Sequence, residues 1–288
     1  MISPTSKSMQ AMSIPELKRM AAQMRKDILY MIYEAQAGHP GGALSATDIV
    51  TALYFRVMRI DPANPQWEDR DRFILSKGHA CPVWYAALAN RGFFDRSHLS
   101  TLRKLNSILQ GHADMQKTPG VDMTVGSLGQ GICAGVGMAL AARYQNKDFH
   151  VWVMIGDGEM QEGSVWEAAM AGAKWKLDNL TVILDLNRIQ NDDFVENTMP
   201  LGDVTAKWQA FGWHIIKING HDMRQVVDAL ETARTVKDLP TIIIADTIKG
   251  KGVSFMENVP GWHGAAPNTE QYQQAIREIE AALEGIAA

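Results

Sequence analysis

Cysteine is scarce in this sequence of 288 residues, which contains only Cys81 and Cys133. Neither has a second Cys or a His at metal-ligand spacing, so nothing indicates a disulfide framework or a zinc site. Both lie among apolar residues with a helical pattern. We therefore expect two buried free thiols, as in proteins of a reducing cytoplasm.

Long apolar runs and basic clusters are also lacking. No segment approaches the roughly 20 apolar residues of a membrane span, and the polar N-terminus lacks the charged start and apolar stretch of a secretory signal. The net charge of −4 and the absence of any Lys/Arg-rich run do not indicate a basic surface for binding nucleic acid. We expect a cytoplasmic protein with neither nucleic acid nor a membrane as its partner.

Apolar runs of strand length alternate with helical patterns along the chain. The predicted strands are RFILS, FHVWVMI, NLTVILD, WHIIKI and PTIIIAD, and a long amphipathic helix is predicted from Pro15 to just before Gly38. This β-α-β order predicts a doubly wound α/β fold, with a mostly parallel sheet covered by helices on both faces. No repeat or linker is visible, so residues 15–288 are expected to form a single domain after a flexible segment, residues 1–14.

The sharpest signal lies where two predicted strands end. FHVWVMI leads into Gly156-Asp157-Gly158, and NLTVILD is followed by Asn187. A diphosphate bound with a divalent ion needs oxygen ligands from adjacent strand ends, a backbone without bulky side chains, and a helix N-terminus directed at the anion. These residues, with a helix predicted to begin near Gln161, meet those needs. GDG alone is more typical of an ordinary turn, but Asn187 at this position favours a binding site.

Four histidines that lie beside glycine in predicted loops are the candidates for ligand binding: His39 (GHPGG), His79, His112 and His263. Glycine lets the backbone approach a ligand, and imidazole can bind hydroxyl groups and phosphates. Taken singly, each is more typical of a surface turn than of a ligand. Together with the GDG and Asn187 pattern, they indicate a binding site more strongly than any one of them does alone.

Together these motifs resemble, in order along the chain, those of transketolases, which use thiamine diphosphate. The matching segments are AGHPGG, SKGHACPVWYAAL, QGHAD, GSLGQG, GDGEMQEGSVWEA, LNRIQ, KGKGVSFMEN and WHG. The resemblance implies transfer of a two-carbon ketol unit from a ketose to an aldose, usually sugar phosphates of pentose phosphate metabolism. Two motifs depart from the usual GPLGQG and GHPE, reading GSLGQG and GHAD, which puts substrate identity in doubt more than reaction type.

The resemblance also assigns roles to individual residues. It implies a divalent metal ion, Mg²⁺ or else Ca²⁺ or Mn²⁺, bound by Asp157, Asn187 and the carbonyl of Ile189. His39, His112 and His263 would surround the sugar: His263, with His39, would handle the proton next to the broken bond, and His112 would hold the donor's terminal hydroxyl. The residues expected to bind the cofactor are His79, Gly126, Ser127, Leu128, Gly156, Asp157, Gly158, Glu159, Asn187 and His263.

The resemblance also implies that part of the active site lies outside this sequence. In full-length transketolases, the glutamate that activates the pyrimidine ring lies in a second domain, and this chain ends at Ala288 before that domain would begin. The resemblance therefore implies a separate C-terminal, pyrimidine-domain subunit, which we expect to form an α2β2 heterotetramer with this chain. Glu162 matches a carboxylate at the family's subunit interface, although an exposed or capping Glu is equally expected there. An isolated fragment is the alternative to a natural subunit, which the amphipathic C-terminal helix favours.

Other functions remain open from the residues alone. GQGICA fits the G-x-G-x-x-A fingerprint of dinucleotide oxidoreductases, but no clear apolar strand precedes it. No GxxxxGK[ST] sequence supports a P-loop protein. The α subunit of a 2-oxoacid dehydrogenase and deoxyxylulose-phosphate synthase share the GDG and Asn pattern, while the histidine loops favour transketolase. A binding module without catalytic activity is a further alternative.

Overall fold

The computed structural model of the protein describes residues 11–287, with side chains up to residue 284. Residues 1–10 of the predicted flexible segment lie outside the described residues, and the single-domain boundaries stay a prediction. Within the described range, no helix is both long enough and apolar enough to cross a membrane.

A parallel sheet of five strands lies at the centre of the described chain. The strands are β1 (Arg72–Leu75), β2 (Val151–Gly156), β3 (Leu180–Leu186), β4 (His214–Asn219) and β5 (Thr241–Asp246). Their spatial order is β1-β2-β3-β5-β4. The strands β2, β3 and β5 are buried almost throughout, because helices cover the sheet. The predicted doubly wound α/β fold is confirmed, and all strands end at the same edge of the sheet.

Helices connect and cover these strands. They are α1 (Ile14–Ala35), α2 (Pro40–Ala52), α3 (Cys81–Arg91), α4 (Gln130–Tyr144), α5 (Gly163–Lys174), α6 (Val195–Thr198), α7 (Val204–Ala210), α8 (Met223–Ala233) and α9 (Thr269–Ala287). The first of them begins one residue before the predicted start, where the Ser13 N–H donates to the Glu16 carboxylate over 2.7 Å.

The GHPGG segment is not the loop that the sequence predicted. Helix α2 begins at Pro40, so His39 is its N-cap residue and both glycines lie in the first helical turn. Proline at this position costs no hydrogen bond, because the first N–H of a helix has no intrahelical partner. Every residue of α2 is buried, and this packing outweighs the low helix propensity of Gly.

Two smaller predictions also need correction. The helix expected near Gln161 begins later: a single 3₁₀ turn, Gly158–Gln161, comes first and α5 starts at Gly163. Of the two thiols predicted to be buried, Cys81 is buried but Cys133 is only partly covered, since it lies on α4 on a side that the described residues do not fully cover.

Candidate functional site

The predicted metal ligands meet at the carboxyl edge of the sheet. Strands β2 and β3 end side by side, with Gly156 paired to Asp185, so Asp157 and Asn187 follow neighbouring strand ends. The Asp157 carboxylate is buried and accepts from the backbone N–H groups of Gly158 and Arg188. Burial and the charge of Asp185 raise the pKa of Asp157 to about 6. A carboxylate in such surroundings gains from binding a cation, which stabilises its charged form.

Asp185 is a fully buried carboxylate that orients Asn187. It accepts hydrogen bonds from Ser45 Oγ over 2.6 Å, from Asn187 Nδ2 over 2.9 Å, and from Lys77 and Thr247. Burial alone would raise its pKa, but Lys77 and the other donors hold the pKa at about 2. Because the amide nitrogen of Asn187 is turned towards Asp185, its oxygen is turned away from Asp185. That oxygen accepts from the Ile189 N–H over 3.2 Å and keeps a second lone pair that can serve a metal ion.

Three of the four predicted histidines form one cluster beside this edge. The ring centroids of His39 and His79 are 5.1 Å apart, those of His39 and His263 are 5.4 Å apart, and those of His79 and His263 are 5.0 Å apart. Burial, followed by neighbouring positive charges, lowers the pKa of His263 to about 3. Burial, with Arg103 as the next cause, lowers that of His39 to about 4. Burial also holds the pKa of His79 well below its ordinary value, so the cluster consists of neutral imidazoles at neutral pH.

Two buried lysines complete the cluster. Lys77 and Lys249 are each 2% exposed. Lys77 donates to the Gly42 carbonyl over 2.8 Å as well as to Asp185. Lys249 donates to the Ile189 carbonyl over 2.6 Å and to His263 over 2.7 Å. Burial lowers the pKa of Lys249 to about 8, with Asp157 opposing this shift.

Glu159 links the GSLGQG loop to the end of β2, the two segments predicted to bind the pyrimidine and the diphosphate of the cofactor. Its buried carboxylate accepts from the N–H of Gly129 over 2.8 Å, from the N–H of Gly156 over 3.0 Å, and from the Ser76 hydroxyl. Gly129 adopts φ +79°, and a Cβ there would lie 2.4 Å from the hydroxyl of Ser164, so only glycine fits. The carboxylate therefore fixes the GSLGQG loop relative to the end of β2.

His112 lies outside the cluster that the other three histidines form, although it is close enough to be one cause of the lowered pKa of His39. Its side chain is exposed, and its ring is 3.6 Å from the position that a Cβ on Gly126 would take. Burial and the nearby Arg103 lower its pKa. His112 thus lies at the rim of the site, next to the loop predicted to bond the pyrimidine.

The site has the chemistry that an anionic diphosphate requires. Two ammonium groups supply positive charge, and His39 Nδ1 is buried without a hydrogen-bond partner, which suits a bound polar group. A Cβ at Gly42 would lie 3.7 Å from His79 Nε2 and 3.8 Å from Lys77 Nζ, so its absence leaves room there. The predicted residues therefore fit thiamine diphosphate.

The metal site itself remains a prediction. Among the residues described, no three His, Cys, Asp or Glu side chains are placed to hold a metal ion. The predicted ligands are one carboxylate, one amide and one carbonyl, so this finding does not test them. A cavity of about 970 Å³ lies beyond the ends of β3, β4 and β5. Asp157 alone of the predicted residues lines it, so this cavity is distinct from the histidine cluster.

Comparison with known protein families decides the assignment. A family model described as transketolase, thiamine diphosphate binding domain, matches residues 17–281. The chain belongs to the transketolase family. The resemblance inferred from the motifs is thereby confirmed.

Two relatives show how this branch of the transketolase family is organised. The chain is 41% identical over 273 residues to a subunit of the apulose-4-phosphate transketolase of Phocaeicola vulgatus, and the match covers 95% of this chain and 97% of that one. It is 44% identical over 265 residues to a 6-deoxy-6-sulfo-D-fructose transketolase subunit of Clostridium sp., covering 92% and 96%. Because both are named as subunits and match almost end to end, the prediction of a transketolase built with a separate second subunit is confirmed.

A solved transketolase shows the same fold. The enzyme of Campylobacter jejuni superposes with a TM-score of 0.88 at 32% identity, and the match covers 96% of this chain but 46% of that one. More than half of the Campylobacter chain therefore has no counterpart here.

Sequence reasoning missed several residues of this transketolase site. Lys77 and Lys249 lie in the motifs SKGHA and KGKG without a predicted role, and Asp185 stands in the sequence only as the end of a predicted strand. All three follow or end strands at the carboxyl edge, the place where ligands bind in such sheets. Position relative to the strand ends could have identified them.

Proposed function

We propose that this chain is the diphosphate-binding and magnesium-binding subunit of a transketolase, active in an α2β2 complex with a pyrimidine-domain subunit. The observation that carries the proposal is the convergence at one sheet edge of Asp157, Asn187 and the Ile189 carbonyl with three neutral imidazoles and two buried ammonium groups. A cytoplasmic location stays a prediction.

Thiamine diphosphate, when bound, supplies the carbon nucleophile for ketol transfer. The chain's own residues would hold and orient the reactants. Lys77 and Lys249 would neutralise the diphosphate, with Gly156, Gly158 and His79 beside it. Asp157, Asn187 and the Ile189 carbonyl would bind Mg²⁺, whose preference for oxygen ligands they match.

The remaining predicted residues face the sugar and the pyrimidine. His39 and His263 are neutral, so each can hydrogen-bond a substrate hydroxyl. A ring nitrogen without a proton can accept the hydroxyl proton, and the imidazolium then formed can return it. His112, at the rim, would hold the terminal hydroxyl of the donor. The backbone of Gly126, Ser127 and Leu128 would bond the pyrimidine, while Glu159 would act by fixing that loop.

The donor is proposed to be a ketose with an anionic terminal group. Support comes from the two relatives, whose names specify a sugar phosphate and a sulfonated sugar. The two buried lysines, Lys77 and Lys249, are assigned to the diphosphate site, so we assign recognition of the terminal anion mainly to the partner subunit.

Cofactor binding by variants of the metal ligand tests this proposal. Asp157→Asn should weaken magnesium-dependent binding of thiamine diphosphate to the complex by at least about tenfold, because changes to metal ligands, or to the residues that orient them, have effects of this size. Asp192→Asn is the matched control, since it removes one exposed carboxylate from the loop after β3. Equal affinities for the two variants, or binding without any dependence on magnesium, would contradict the proposal.

A further inference from the structure

A buried charged cluster joins three separate parts of the chain. Arg25 of α1 donates from both Nη atoms to Asp48 of α2, over 3.1 and 2.6 Å. His221, in the loop between β4 and α8, lies with Nδ1 2.8 Å from the same carboxylate. The three side chains are 10–11% exposed. Neither the predicted metal site nor the predicted sugar site includes any of them.

This cluster contacts the loop that carries Lys249 at two points. The backbone N–H of Ile248 donates to His221 Nε2 over 2.8 Å. The Nε of Arg25 donates to the Lys251 carbonyl over 3.2 Å. The two contacts lie on either side of Lys249, so the backbone on both sides of that lysine is held by side chains from α1 and from the β4–α8 loop.

The contacts define the tautomer of His221. A backbone N–H can only donate, so Nε2 must be the acceptor and the ring proton must lie on Nδ1, where it is donated to Asp48. Burial would favour the neutral form of Asp48, but Arg25 and His221 outweigh it and hold the pKa of this carboxyl at about 2. Asp48 is therefore ionised at neutral pH and orients the imidazole.

The loop has little freedom to compensate for a lost contact. Gly250 adopts φ +80°, and its N–H donates to the Gly41 carbonyl over 3.0 Å. A Cβ at Gly250 would lie 2.4 Å from the Met256 carbonyl oxygen. The position of Lys249 Nζ, between Ile189 and His263, therefore depends on where the backbone next to it is held.

We propose that His221, oriented by Asp48 and Arg25, is a positioning residue that holds Lys249 in the diphosphate site. Cofactor affinity then depends on a histidine that is not part of the site itself. The inference rests on the proposed function for its effect on the cofactor, but the contact between His221 and the loop can be tested without any cofactor. His221 also lies beside a glycine, as the four predicted histidines do, yet its sequence context gave no sign of this role.

Two amide variants separate the two hydrogen bonds of His221. Asparagine places its amide near the position of Nδ1 and glutamine near that of Nε2. His221→Asn can therefore still donate to Asp48 but cannot accept from Ile248, whereas His221→Gln keeps an acceptor for Ile248. The first measurement is amide hydrogen exchange of residues 247–252 in the free chain. We expect about tenfold faster exchange in His221→Asn and less than about threefold change in His221→Gln, because one hydrogen bond is lost in the first only.

The second measurement is the dissociation constant of thiamine diphosphate, with Mg²⁺, for the complex with the partner subunit. His221→Asn should raise it about tenfold, and His221→Gln should restore most of the affinity. In a Lys249→Met background, His221→Asn should add little, since the lysine that it positions is gone. Equal losses in both His221 variants, or fully additive effects with Lys249→Met, would overturn the inference. If the wild-type complex binds no cofactor, the proposed function fails, while the exchange result still decides the role of His221.

Discussion

Lys249 donates a hydrogen bond from Nζ to Nδ1 of His263, over 2.7 Å. An ammonium group has no acceptor, so Nδ1 must be the acceptor and the proton of the neutral imidazole must lie on Nε2. The same lysine lowers the pKa of His263, second only to burial. Lys249 thus fixes the tautomer of the histidine proposed to handle the substrate proton and, together with burial, keeps it neutral.

Removal of the Lys249 ammonium should weaken cofactor binding. In Lys249→Met, the Ile189 carbonyl and His263 lose a charge-assisted hydrogen bond, and the site loses one of its two buried positive charges. Hydrogen bonds to charged groups contribute about 1.5–3 kcal/mol, so the dissociation constant of thiamine diphosphate should rise about 10- to 100-fold. Titration calorimetry of the complex with its partner measures this change.

Lys251→Met is the matched control for that variant. Lys251 lies two residues away and pairs with Glu257 over 3.1 Å at the surface, with about a third of its side chain exposed. Its replacement should change cofactor affinity less than about twofold, since surface ion pairs contribute little. A similar loss in both variants would mean that total charge, rather than the position of Lys249, determines binding.

The Glu159 carboxylate should contribute to both stability and cofactor binding. Glu159→Gln replaces one acceptor oxygen with a donor that faces the N–H groups of Gly129 or Gly156. We expect a loss of about 2 kcal/mol or more in the free energy of unfolding, because a buried backbone N–H is left without a partner. Chemical denaturation of the free chain measures it.

Glu162 provides the comparison for Glu159. Its side chain is exposed, next to Gly129, so Glu162→Gln should leave the stability of the free chain within about 0.5 kcal/mol. If Glu162 lies at the interface with the partner, as the family resemblance implies, this variant should lower the activity of the complex. Unchanged activity would favour a plain exposed or capping role.

Acidification should destabilise the free chain through buried histidines. Burial, followed by the charge of Arg234, lowers the pKa of His150 to about 3. The ordinary pKa of histidine, 6.5, applies in the unfolded state. Between pH 6.5 and pH 3, the unfolded state therefore binds one more proton than the folded state, and the free energy of unfolding falls as the pH falls. One such group contributes about 1.4 kcal/mol per pH unit within this window.

Denaturation curves at pH 6.5 and pH 5 test this effect. The decrease in the free energy of unfolding from pH 6.5 to pH 5 should be smaller in His150→Gln than in the wild type, by up to about 2 kcal/mol. Asp157 acts in the opposite direction below pH 6, because its pKa is raised, but it is unchanged in this comparison. His98→Gln, which replaces a half-buried histidine outside the sheet, is the control. An identical pH dependence in the wild type and His150→Gln would contradict the prediction.

His112 should affect the sugar donor rather than the cofactor. Its exposed ring lies at the rim, away from the cluster of His39, His79 and His263. His112→Ala should raise the KM for the ketose donor about tenfold, the effect of one lost hydrogen bond. The dissociation constant of thiamine diphosphate should stay within about twofold. A large loss of cofactor affinity would show that His112 belongs to the cofactor site.

The sequence predicted those parts of the site that depend on strand ends. Asp157 and Asn187 were identified because apolar runs define β2 and β3, and parallel strands bring their carboxyl ends together. The loop predicted for GHPGG was wrong because Gly-Gly disfavours a helix locally, whereas burial of all of α2 stabilises one. Pro40 was the local sign of the helix start.

The buried charges could not be predicted in the same way. Lysine is almost never fully buried unless it is paired, so Lys77 and Lys249 gave no local sign of lying inside the protein. Their partners, Asp185 and the Ile189 carbonyl, are distant in sequence by 108 and 60 positions. Such contacts follow from tertiary packing, which a pattern of single residues does not contain.

Ketol transfer by the reconstituted pair is the most direct test of the proposed function. The chain and a candidate pyrimidine-domain partner would be purified separately and assayed alone and mixed, with thiamine diphosphate and Mg²⁺, using phosphorylated and sulfonated ketose donors. We expect transfer only in the mixture and only with the cofactor present. Transfer by this chain alone, or a mixture that binds thiamine diphosphate no better than the separate chains, would contradict the proposed function.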